Sequence, residues 1–374
     1  MALFTIPVLV VYYRHHGLSM QDVMLLQAIF AVTMVVIEVP SGYFSDVLGR
    51  RKTMIIGTIL ALCGWACYVV AASFSEFLIA EAFLGVGMSF MSGTDSAMLY
   101  DSLLELGHTE QSLKEEGAQM SYANFSEAGA SVIGGALAAV SLHLPFYVQA
   151  VWMLVPIVAS VMLIEPSLHR RAGHKAGWQE MKEILSRVFL HDTHIRSLII
   201  TSSVLSATTL TMVWLIQPYW TYVGIPVALF GVLWASGNAL VGVVSIRAHI
   251  VADRISTNSM LAILIVAVSL SCIIAGLWPS MITAGLLAVM YISRGLLNPI
   301  VNNDLNKRVT SGQRATVLSL RQLGMRFIFL IMAPFIGYMG DLTSIPTAVV
   351  ITGSLSAFLW LSSALFKGLF KRLR

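Results

Sequence analysis

The sequence predicts an all-α protein that crosses a membrane many times. Of its 374 residues, 57% are hydrophobic and 11% are charged, and the mean hydropathy is +0.80. Soluble domains carry about 25% charged residues. Apolar tracts of roughly 20 residues, long enough to cross a bilayer as helices, recur along the chain. Their continuous apolar character excludes an outer-membrane barrel, whose strands alternate apolar and polar side chains.

The apolar tracts predict twelve spans in two groups of six. Residues 2–13 are apolar but give only about 18 Å of helix, so we interpret them as the second half of a first helix, which is either short or begins upstream of this start. The other spans of the first group are predicted at about 21–42, 53–72, 76–103, 119–142 and 145–164. The second group is predicted at about 197–223, 226–246, 260–276, 280–302, 315–339 and 346–366.

A polar stretch separates the two groups and predicts the domain organisation. We expect a first six-helix bundle over residues 1–165, a cytoplasmic linker over 166–195, and a second six-helix bundle with a basic tail over 196–374. The linker contains an amphipathic run near 178–190, which is predicted to lie at the membrane surface.

The distribution of basic residues predicts the orientation in the membrane. Of the 23 lysines and arginines, one lies in an outside loop and three lie within spans; the remaining 19 lie in the linker, the even-numbered loops or the tail. Because positive residues favour the cytoplasmic side, both termini are predicted to be inside the cell, in an inner (plasma) membrane. The net charge of +4 is therefore no sign of nucleic-acid binding.

The most distinctive stretch joins the second and third spans and has the form Gly-x-x-x-Asp-x-x-Gly-Arg-Arg-Lys, from Gly42 to Lys52. This pattern resembles the signature loop between helices 2 and 3 of the major facilitator superfamily of secondary transporters. A degraded copy, His249-Ile-Val-Ala-Asp-Arg254, follows the eighth span. The resemblance covers nearly the whole chain and implies two six-helix bundles related by a pseudo-two-fold axis, with sites near the midplane.

The residue types in this stretch suit a tight, basic turn at the membrane edge. Gly42 would let another helix approach, and Gly49 suits a turn that needs a positive φ. The resemblance implies that Asp46 lies against the N-terminal end of helix 11, where the helix dipole favours an anion. It also implies that Arg50 contacts an acid at the cytoplasmic end of helix 4, which is Asp101 here. The predicted cytoplasmic latch consists of Gly42, Asp46, Gly49, Arg50, Arg51 and Asp101.

Charged side chains within spans are costly in lipid, so each is a functional hypothesis. Acids of the first group lie at depths similar to those of bases in the second. In the family that the chain resembles, helices 2 and 11 are neighbours across the two halves, as are helices 4 and 10. We therefore hypothesise ion pairs between the halves that form when the inside is closed; the alternative is pairing within each half, which would fix helix register. The residues concerned are Glu38 (helix 2), Asp95 and Asp101 (helix 4), Arg294 (helix 10), and Arg321 and Arg326 (helix 11).

Two further acids are candidates for proton coupling. Many drug exporters of the family carry an arginine four residues before a glycine in helix 4, whereas this chain has Glu81 four residues before Gly85. A buried carboxyl can act as a proton carrier, and Glu127 in helix 5 is the second candidate. Helix 5 keeps the glycine pair of the exporters' Gly-Pro-x-x-Gly-Gly pattern but lacks its proline. The alternative for each acid is a packed, hydrogen-bonded structural carboxyl.

An aromatic and polar set predicts a wall of the substrate cavity. Aromatic rings with few polar groups suit an amphipathic or planar organic molecule. The competing interpretation is an aromatic belt at the outer membrane interface. The candidates are Asn124 (helix 5), Trp214, Gln217 and Tyr219 (helix 7), and Asn238 (helix 8).

The function predicted from these observations is secondary transport by alternating access. No Walker loop is present, so ATP is not the expected driver, and no cofactor or metal is expected. We predict proton-coupled export of a small amphipathic molecule by a monomer; uptake of a nutrient or siderophore-like compound is the alternative. A membrane enzyme is a remote third possibility, suggested only by His191-Asp192-x-His194 in the linker. Further ligands do not accompany that pair of histidines, so a metal site there is not favoured.

Overall fold

The computed structural model describes residues 2–108, 111–166, 192–309 and 314–372, and most of these are helical. Within them, ten helical segments are long and apolar enough to cross a membrane. The all-α polytopic prediction is therefore confirmed. Two predicted spans are not among the ten: the short first one and the fifth, which lies on a 29-residue helix.

The helices of the first part of the chain follow the predicted order, with two breaks. The predicted fourth span is interrupted at Ser92–Gly93, and the sixth is interrupted at Met153. The helices are α1 (Leu9–His15), α2 (Met20–Leu48), α3 (Arg50–Val70), α4 (Phe74–Met91), α5 (Thr94–Glu105), α6 (Ser112–Val140), α7 (Leu144–Trp152) and α8 (Leu154–Met162).

The second part contains long helices with two short interruptions. A short helix follows the eighth span, and the tenth span breaks at Leu287. The helices are α9 (Thr193–Tyr222), α10 (Phe230–Ile246), α11 (Ala248–Ala252), α12 (Thr257–Leu277), α13 (Met281–Leu286), α14 (Ala288–Arg308), α15 (Arg314–Leu342) and α16 (Ile345–Arg372).

The signature stretch is not a loop, which corrects the sequence interpretation. Helix α2 continues through Pro40 and the motif as far as Leu48, and only Gly49 leaves the helix, with φ of 99°. A proline inside a helix removes one backbone hydrogen bond but does not always end it. Residues 42–48 of the motif therefore form the last two turns of α2, and its last three residues, 50–52, begin α3.

The end of the predicted linker is also helical. Asp192 caps α9, because its Oδ1 accepts hydrogen bonds from the backbone N–H groups of His194 and Ile195, each 2.9 Å away. The helix consequently begins at Thr193, a few residues earlier than expected. The amphipathic run at 178–190 lies outside the described residues.

Two compact units make up the described chain. The first contains residues 2–166 together with Val227–Ala235, and the second contains 192–226 and 236–372. The predicted division into bundles at 1–165, 166–195 and 196–374 stays a prediction; the segment Val227–Ala235 groups with the first unit.

Close packing of α3 against α4 organises the first unit. A Cβ built on Gly57 would lie 2.9 Å from the Gly87 carbonyl oxygen, and one built on Gly87 would lie 2.8 Å from the Gly57 carbonyl oxygen. Small residues allow membrane helices to approach this closely. The two helices are antiparallel along this seam, so Tyr68 at the far end of α3 is brought beside Glu81 of α4.

The glycine pair of α6 is used in the same way. A Cβ on Gly134 would overlap the Phe4 carbonyl oxygen, and one on Gly135 would lie 2.7 Å from the Gly231 backbone nitrogen. The prediction that these glycines allow close packing is confirmed. The contact with Gly231 also explains why the start of α10 belongs to the first unit.

Helix α9 forms the centre of the second unit and is mostly buried. Its hydroxyls bond within the unit: the Thr208 hydroxyl donates to the Val204 carbonyl oxygen at 2.8 Å and lies 2.9 Å from Ser356 Oγ of α16, from which it can accept. Glycines again set the closest approach, since a Cβ on Gly353 of α16 would lie 2.6 Å from the Ser269 carbonyl oxygen of α12.

Candidate functional site

The most enclosed carboxyl in a described helix is that of Glu81 on α4, which is 3% exposed. Its Oε1 accepts three hydrogen bonds, each 2.6 Å long, from the hydroxyls of Tyr13 and Tyr68 and from the side-chain amide of Gln27. The two tyrosine hydroxyls also contact each other. These donors belong to α1, α3 and α2, so four helices converge on one oxygen.

The chemistry of this cradle accommodates a carboxyl in either protonation state. Burial favours the neutral acid, while three donors to one oxygen favour the carboxylate. All three donors are neutral, so none of them supplies a permanent positive charge that would hold the carboxyl ionised. Glu81 was named from the sequence, but its three partners were missed. The sequence feature that could have identified these partners is that each one places a polar atom within an otherwise apolar helix.

A cluster of three histidines lies close to the cradle, formed by His15, His16 and His143. The ring centroids are 5.5 to 6.0 Å apart. Tyr12 connects the two features, because its hydroxyl lies 3.3 Å from His143 Nδ1 and donates to the Tyr68 carbonyl oxygen at 3.2 Å. Burial, and then the neighbouring rings of His16 and His15, lower the pKa of His143.

The connection between α2 and α3, which consists of Gly49 and the flanking residues 45–52 and is called the basic turn, forms a second polar site in the first unit. Arg50 donates from Nε to Asp101 Oδ2 at 3.2 Å and from Nη1 to Asp46 Oδ1 at 2.8 Å. Its Nη1 also bonds Ser45 Oγ at 2.9 Å. One guanidinium thus joins the ends of α2 and α5, which includes the contact with Asp101 that the resemblance implied. A role as a latch stays a prediction. A Cβ on Gly42 would meet no atom of the described residues of the first unit within 4 Å, so close approach of a helix at this glycine stays a prediction.

Glu165 completes the turn and was not found from the sequence. Its two carboxylate oxygens accept the backbone N–H groups of Arg50 and Arg51 at 2.7 and 2.8 Å, which places an anion at the start of α3. Negative charge is favourable there because the first N–H groups of a helix lack partners. The Arg51 side chain donates to the Val161 carbonyl oxygen at 2.6 Å, so the end of α8 is held to the same turn.

The predicted gate charges occupy different settings. Glu38 is exposed on α2, and Asp95 Oδ2 accepts a hydrogen bond from Gln119 Nε2 at 3.2 Å. Arg294 on α14 and Arg326 on α15 are half-buried. Pairing of these charges between the halves stays a prediction.

Arg321 is the most enclosed of the predicted gate charges, at 3% exposure on α15. Its Nη1 donates to Asn302 Oδ1 at 2.5 Å, and its Nη2 donates to Asn298 Oδ1. Both amides lie on α14. The sequence reasoning expected a carboxylate partner and did not consider these two side chains.

The second proton-coupling candidate, Glu127, and the cavity candidates differ from one another in burial and in hydrogen bonding. Glu127 is half-buried and accepts one long hydrogen bond, 3.4 Å, from Trp234 Nε1. Asn124 is exposed, and Trp214 is half-buried. Asn238 has a buried Nδ2 that makes no hydrogen bond to any described residue.

Two cavity candidates lie on α9, and a place in the wall of a cavity stays a prediction for both. Gln217 and Tyr219 are fully buried, and the Tyr219 hydroxyl donates to the Ala275 carbonyl oxygen at 2.7 Å. These residues therefore pack α9 inside the second unit. Aromatic composition alone cannot separate a packed ring from one that lines a cavity.

No group of three or more His, Cys, Asp or Glu within the described ranges is arranged to hold a metal ion. Of the histidine pair considered in the linker, His191 lies outside those ranges. Asp192 serves as a helix cap, and His194 Nε2 lies 3.5 Å from Asp304 Oδ2.

Comparison with known families decides the classification. The sequence model of the Major Facilitator Superfamily matches residues 1–309. The chain belongs to this superfamily. Its members are transporters, and this agrees with the helical architecture and with the signature stretch from Gly42 to Lys52 described above.

The curated relatives of this transporter include drug-resistance proteins. It is 28% identical to the quinolone resistance protein NorA of Staphylococcus aureus over 184 residues, which are 49% of this chain and 46% of that protein. It is 24% identical to multidrug resistance protein 2 of Bacillus subtilis over 174 residues, 46% of this chain and 42% of that protein. The matches thus span less than half of each relative.

Solved structures support the fold over almost the full length. The nucleoside transporter NupG matches with a TM-score of 0.80 at 13% identity, covering 97% of this chain and 94% of that one. A bacterial homologue of the human lysosomal transporter Spinster, inward-facing and unoccupied, matches with a TM-score of 0.76 at 14% identity, covering 99% and 93%. At these identities the likeness concerns the fold alone.

Proposed function

We propose that this transporter exports a small amphipathic organic molecule in exchange for protons, with Glu81 as the proton carrier. The observation that carries the proposal is the Glu81 cradle. A carboxyl that is 3% exposed, with three neutral donors on one oxygen, can bind and release a proton without leaving its position. Glu127 is the weaker candidate because it is half-buried and has one long hydrogen bond.

The proposed direction rests on the relatives. Two of them are named for resistance to quinolones or to multiple drugs, which suits export. The excess of lysine and arginine in the linker, even-numbered loops and tail favours cytoplasmic termini in a plasma membrane. A proton gradient would supply the energy, with no cofactor, and the working unit would be a monomer.

The proposed cycle alternates between two forms of Glu81. In the loaded form the carboxyl holds a proton and is neutral. When the proton leaves to water on one side, the resulting carboxylate is stabilised by Tyr13, Tyr68 and Gln27, whose positions are fixed by three helices. A proton taken up from the opposite side restores the neutral acid. The cargo moves in the opposite sense while the binding sites open alternately to each side.

The test is proton movement in proteoliposomes that contain a pH-sensitive dye in the lumen. A panel of amphipathic compounds is added under an imposed pH gradient, and compounds that release protons through the wild type are identified. In Glu81→Gln this compound-driven flux should disappear, because an amide cannot carry the proton. The amide still offers an oxygen to the same three donors, so the variant is expected to fold.

Glu76→Gln is the matched control. Glu76 lies on the same helix but is exposed, and it bonds the backbone nitrogens of Ala72 and Ser73. Glutamine serves in that capping position as well as glutamate, so flux should be unchanged. Flux that persists in Glu81→Gln and disappears in Glu127→Gln would transfer the role to Glu127. The direction of proton movement relative to the compound separates export from uptake.

A further inference from the structure

We propose that Arg321, Asn298 and Asn302 form a binding site for an organic carboxylate in the second unit. The inference rests on the proposed function and deepens it, because it assigns a chemical class to the cargo: an amphipathic molecule that carries a carboxylate. The three residues are named the amide–arginine site.

The geometry of the site leaves much of the guanidinium's donor capacity unused. A guanidinium has five N–H groups. In the described residues two of them are used, one on Asn302 Oδ1 and one on Asn298 Oδ1. Both acceptors must present oxygen to the arginine, which leaves the two amide NH₂ groups as further donors. The amide–arginine site therefore has an excess of donors.

The site also has no compensating negative charge among the described residues of the second unit. Asp304 of the same unit pairs with Arg308 and lies 3.5 Å from His194 Nε2, and no carboxylate of a described residue there pairs with Arg321. Burying a cation beside neutral groups alone is expensive, and such residues in membrane helices usually pair or mark a substrate path. An anion that enters during transport would supply the missing charge.

The sequence of α14 indicates how a ligand reaches the site. Arg294, Asn298 and Asn302 recur at intervals of four, which places them on one side of the helix. Asn298 is exposed and Asn302 is half-buried, although both lie within a segment apolar enough to span a membrane. Polar side chains at such depth face protein or water rather than lipid. The second cation of this face, Arg294, adds to the positive potential beside Asn298.

The position along the helices places the site within two candidate membrane spans. Arg321 lies seven residues after the start of α15 and Asn298 lies ten before the end of α14, which correspond to about 10 and 15 Å from the connection between these helices. The backbone there is fixed, since Ser203 Oγ of α9 donates to the Arg321 carbonyl oxygen at 3.1 Å. A fixed, planar guanidinium matches the two oxygens of a carboxylate better than it matches a spherical halide.

The experiment measures thermal unfolding of the purified full-length transporter in lipid nanodiscs with a matched pair of probes. 2-Naphthoate carries the carboxylate, and 2-naphthamide has the same shape without the charge. At constant ionic strength, naphthoate should raise the unfolding midpoint and naphthamide should not. In Arg321→Gln the apparent Kd for naphthoate should weaken roughly tenfold to 100-fold, as expected for loss of a charge-assisted hydrogen bond.

Asn298→Asp is the decisive variant because it places a carboxylate of the protein itself beside Arg321. It should raise the unfolding midpoint of the ligand-free protein and abolish the naphthoate shift, an outcome that misfolding cannot imitate. Arg308→Gln is the matched control: this exposed arginine of the same helix pairs with Asp304 at 2.7 Å, and its loss should leave the naphthoate shift intact.

Several outcomes would overturn the assignment. These are an equal shift with naphthamide or chloride, a full naphthoate shift in Arg321→Gln, and the absence of a shift in the wild type. If the shift is absent and Glu38→Arg restores transport to Arg321→Glu, then Arg321 is a gate residue instead. Glu81→Gln should keep the naphthoate shift, so failure of this site and failure of the proton-carrier proposal are distinguishable.

Discussion

Replacing Gly49 by alanine tests the basic turn at its most constrained residue. Gly49 has φ of 99° and ψ of 155°, a conformation that is essentially restricted to glycine. A Cβ there would also lie 2.8 to 3.0 Å from the three carboxylate atoms of Glu165. The added methyl group therefore strains the backbone and displaces the anion that caps α3.

The two effects have separable magnitudes. A residue held in such a backbone conformation costs about 1–3 kcal/mol. Displacement of Glu165 by even a few tenths of an ångström weakens its bonds to the N–H groups of Arg50 and Arg51, and one charge-assisted hydrogen bond is worth about 1.5–3 kcal/mol. The free energy of unfolding should therefore fall by about 2.5–6 kcal/mol if one such bond is lost.

Gly93→Ala is the matched control, since Gly93 also has a positive φ, 79°, but a Cβ there would meet no atom of a described residue within 4 Å. It should show the backbone cost alone. Thermal unfolding in detergent, followed by intrinsic tryptophan fluorescence, ranks the variants, and Gly49→Ala should have the lower midpoint of the two.

A double-mutant comparison isolates the contribution of Glu165. Glu165→Ala should lower the midpoint in the wild type and have a smaller effect in the Gly49→Ala background, because the cap is already displaced there. Equal midpoints for Gly49→Ala and Gly93→Ala, together with additive effects of Glu165→Ala, would refute the reasoning that the methyl group acts through Glu165.

Two further predictions concern His143 and Asp46, which both belong to the first unit. Because the pKa of His143 is lowered by burial and by His16 and His15, the unfolded chain binds a proton that the folded protein does not as pH falls below about 6.5, so stability should fall with pH in that window. His143→Asn should therefore show a smaller drop in unfolding midpoint between neutral and acidic pH, and an unchanged drop would contradict this. Asp46→Asn, which removes the charge paired with Arg50, should reduce transport of an identified compound while leaving the unfolding midpoint nearly unchanged; undiminished transport would exclude a latch role for Asp46.

Hydropathy and local chemistry predicted most of the helices and the turn. Continuous apolar tracts identify spans because length and hydrophobicity alone decide whether a helix can cross a bilayer. Gly49 was correctly assigned a positive φ from its place between two helical segments. The prediction of a loop around it is wrong, because glycine, proline and charged residues are common to loops and to polar helix ends.

The candidate site was predicted only in part, because its partners come from distant parts of the chain. Glu81 stood out as an acid in an apolar span, but Tyr13, Gln27 and Tyr68 are separated from it by 68, 54 and 13 residues. Their convergence depends on how α3 packs on α4, which no local pattern specifies. Glu165 was missed for the same reason, since it lies more than 110 residues from the N–H groups that it caps.

The break at Ser92–Gly93 has a mechanical consequence for this transporter. Glu81 belongs to α4, whereas Asp101, which is bonded to Arg50, belongs to α5. Glu81, proposed to carry protons, and Asp101, which binds Arg50, thus lie on two consecutive helices separated by Ser92 and Gly93. A tilt of one helix need not move the other by the same amount. The flexibility of residues 92 and 93 would therefore determine how strongly a movement of α4 at Glu81 is coupled to a movement of α5 at Asp101.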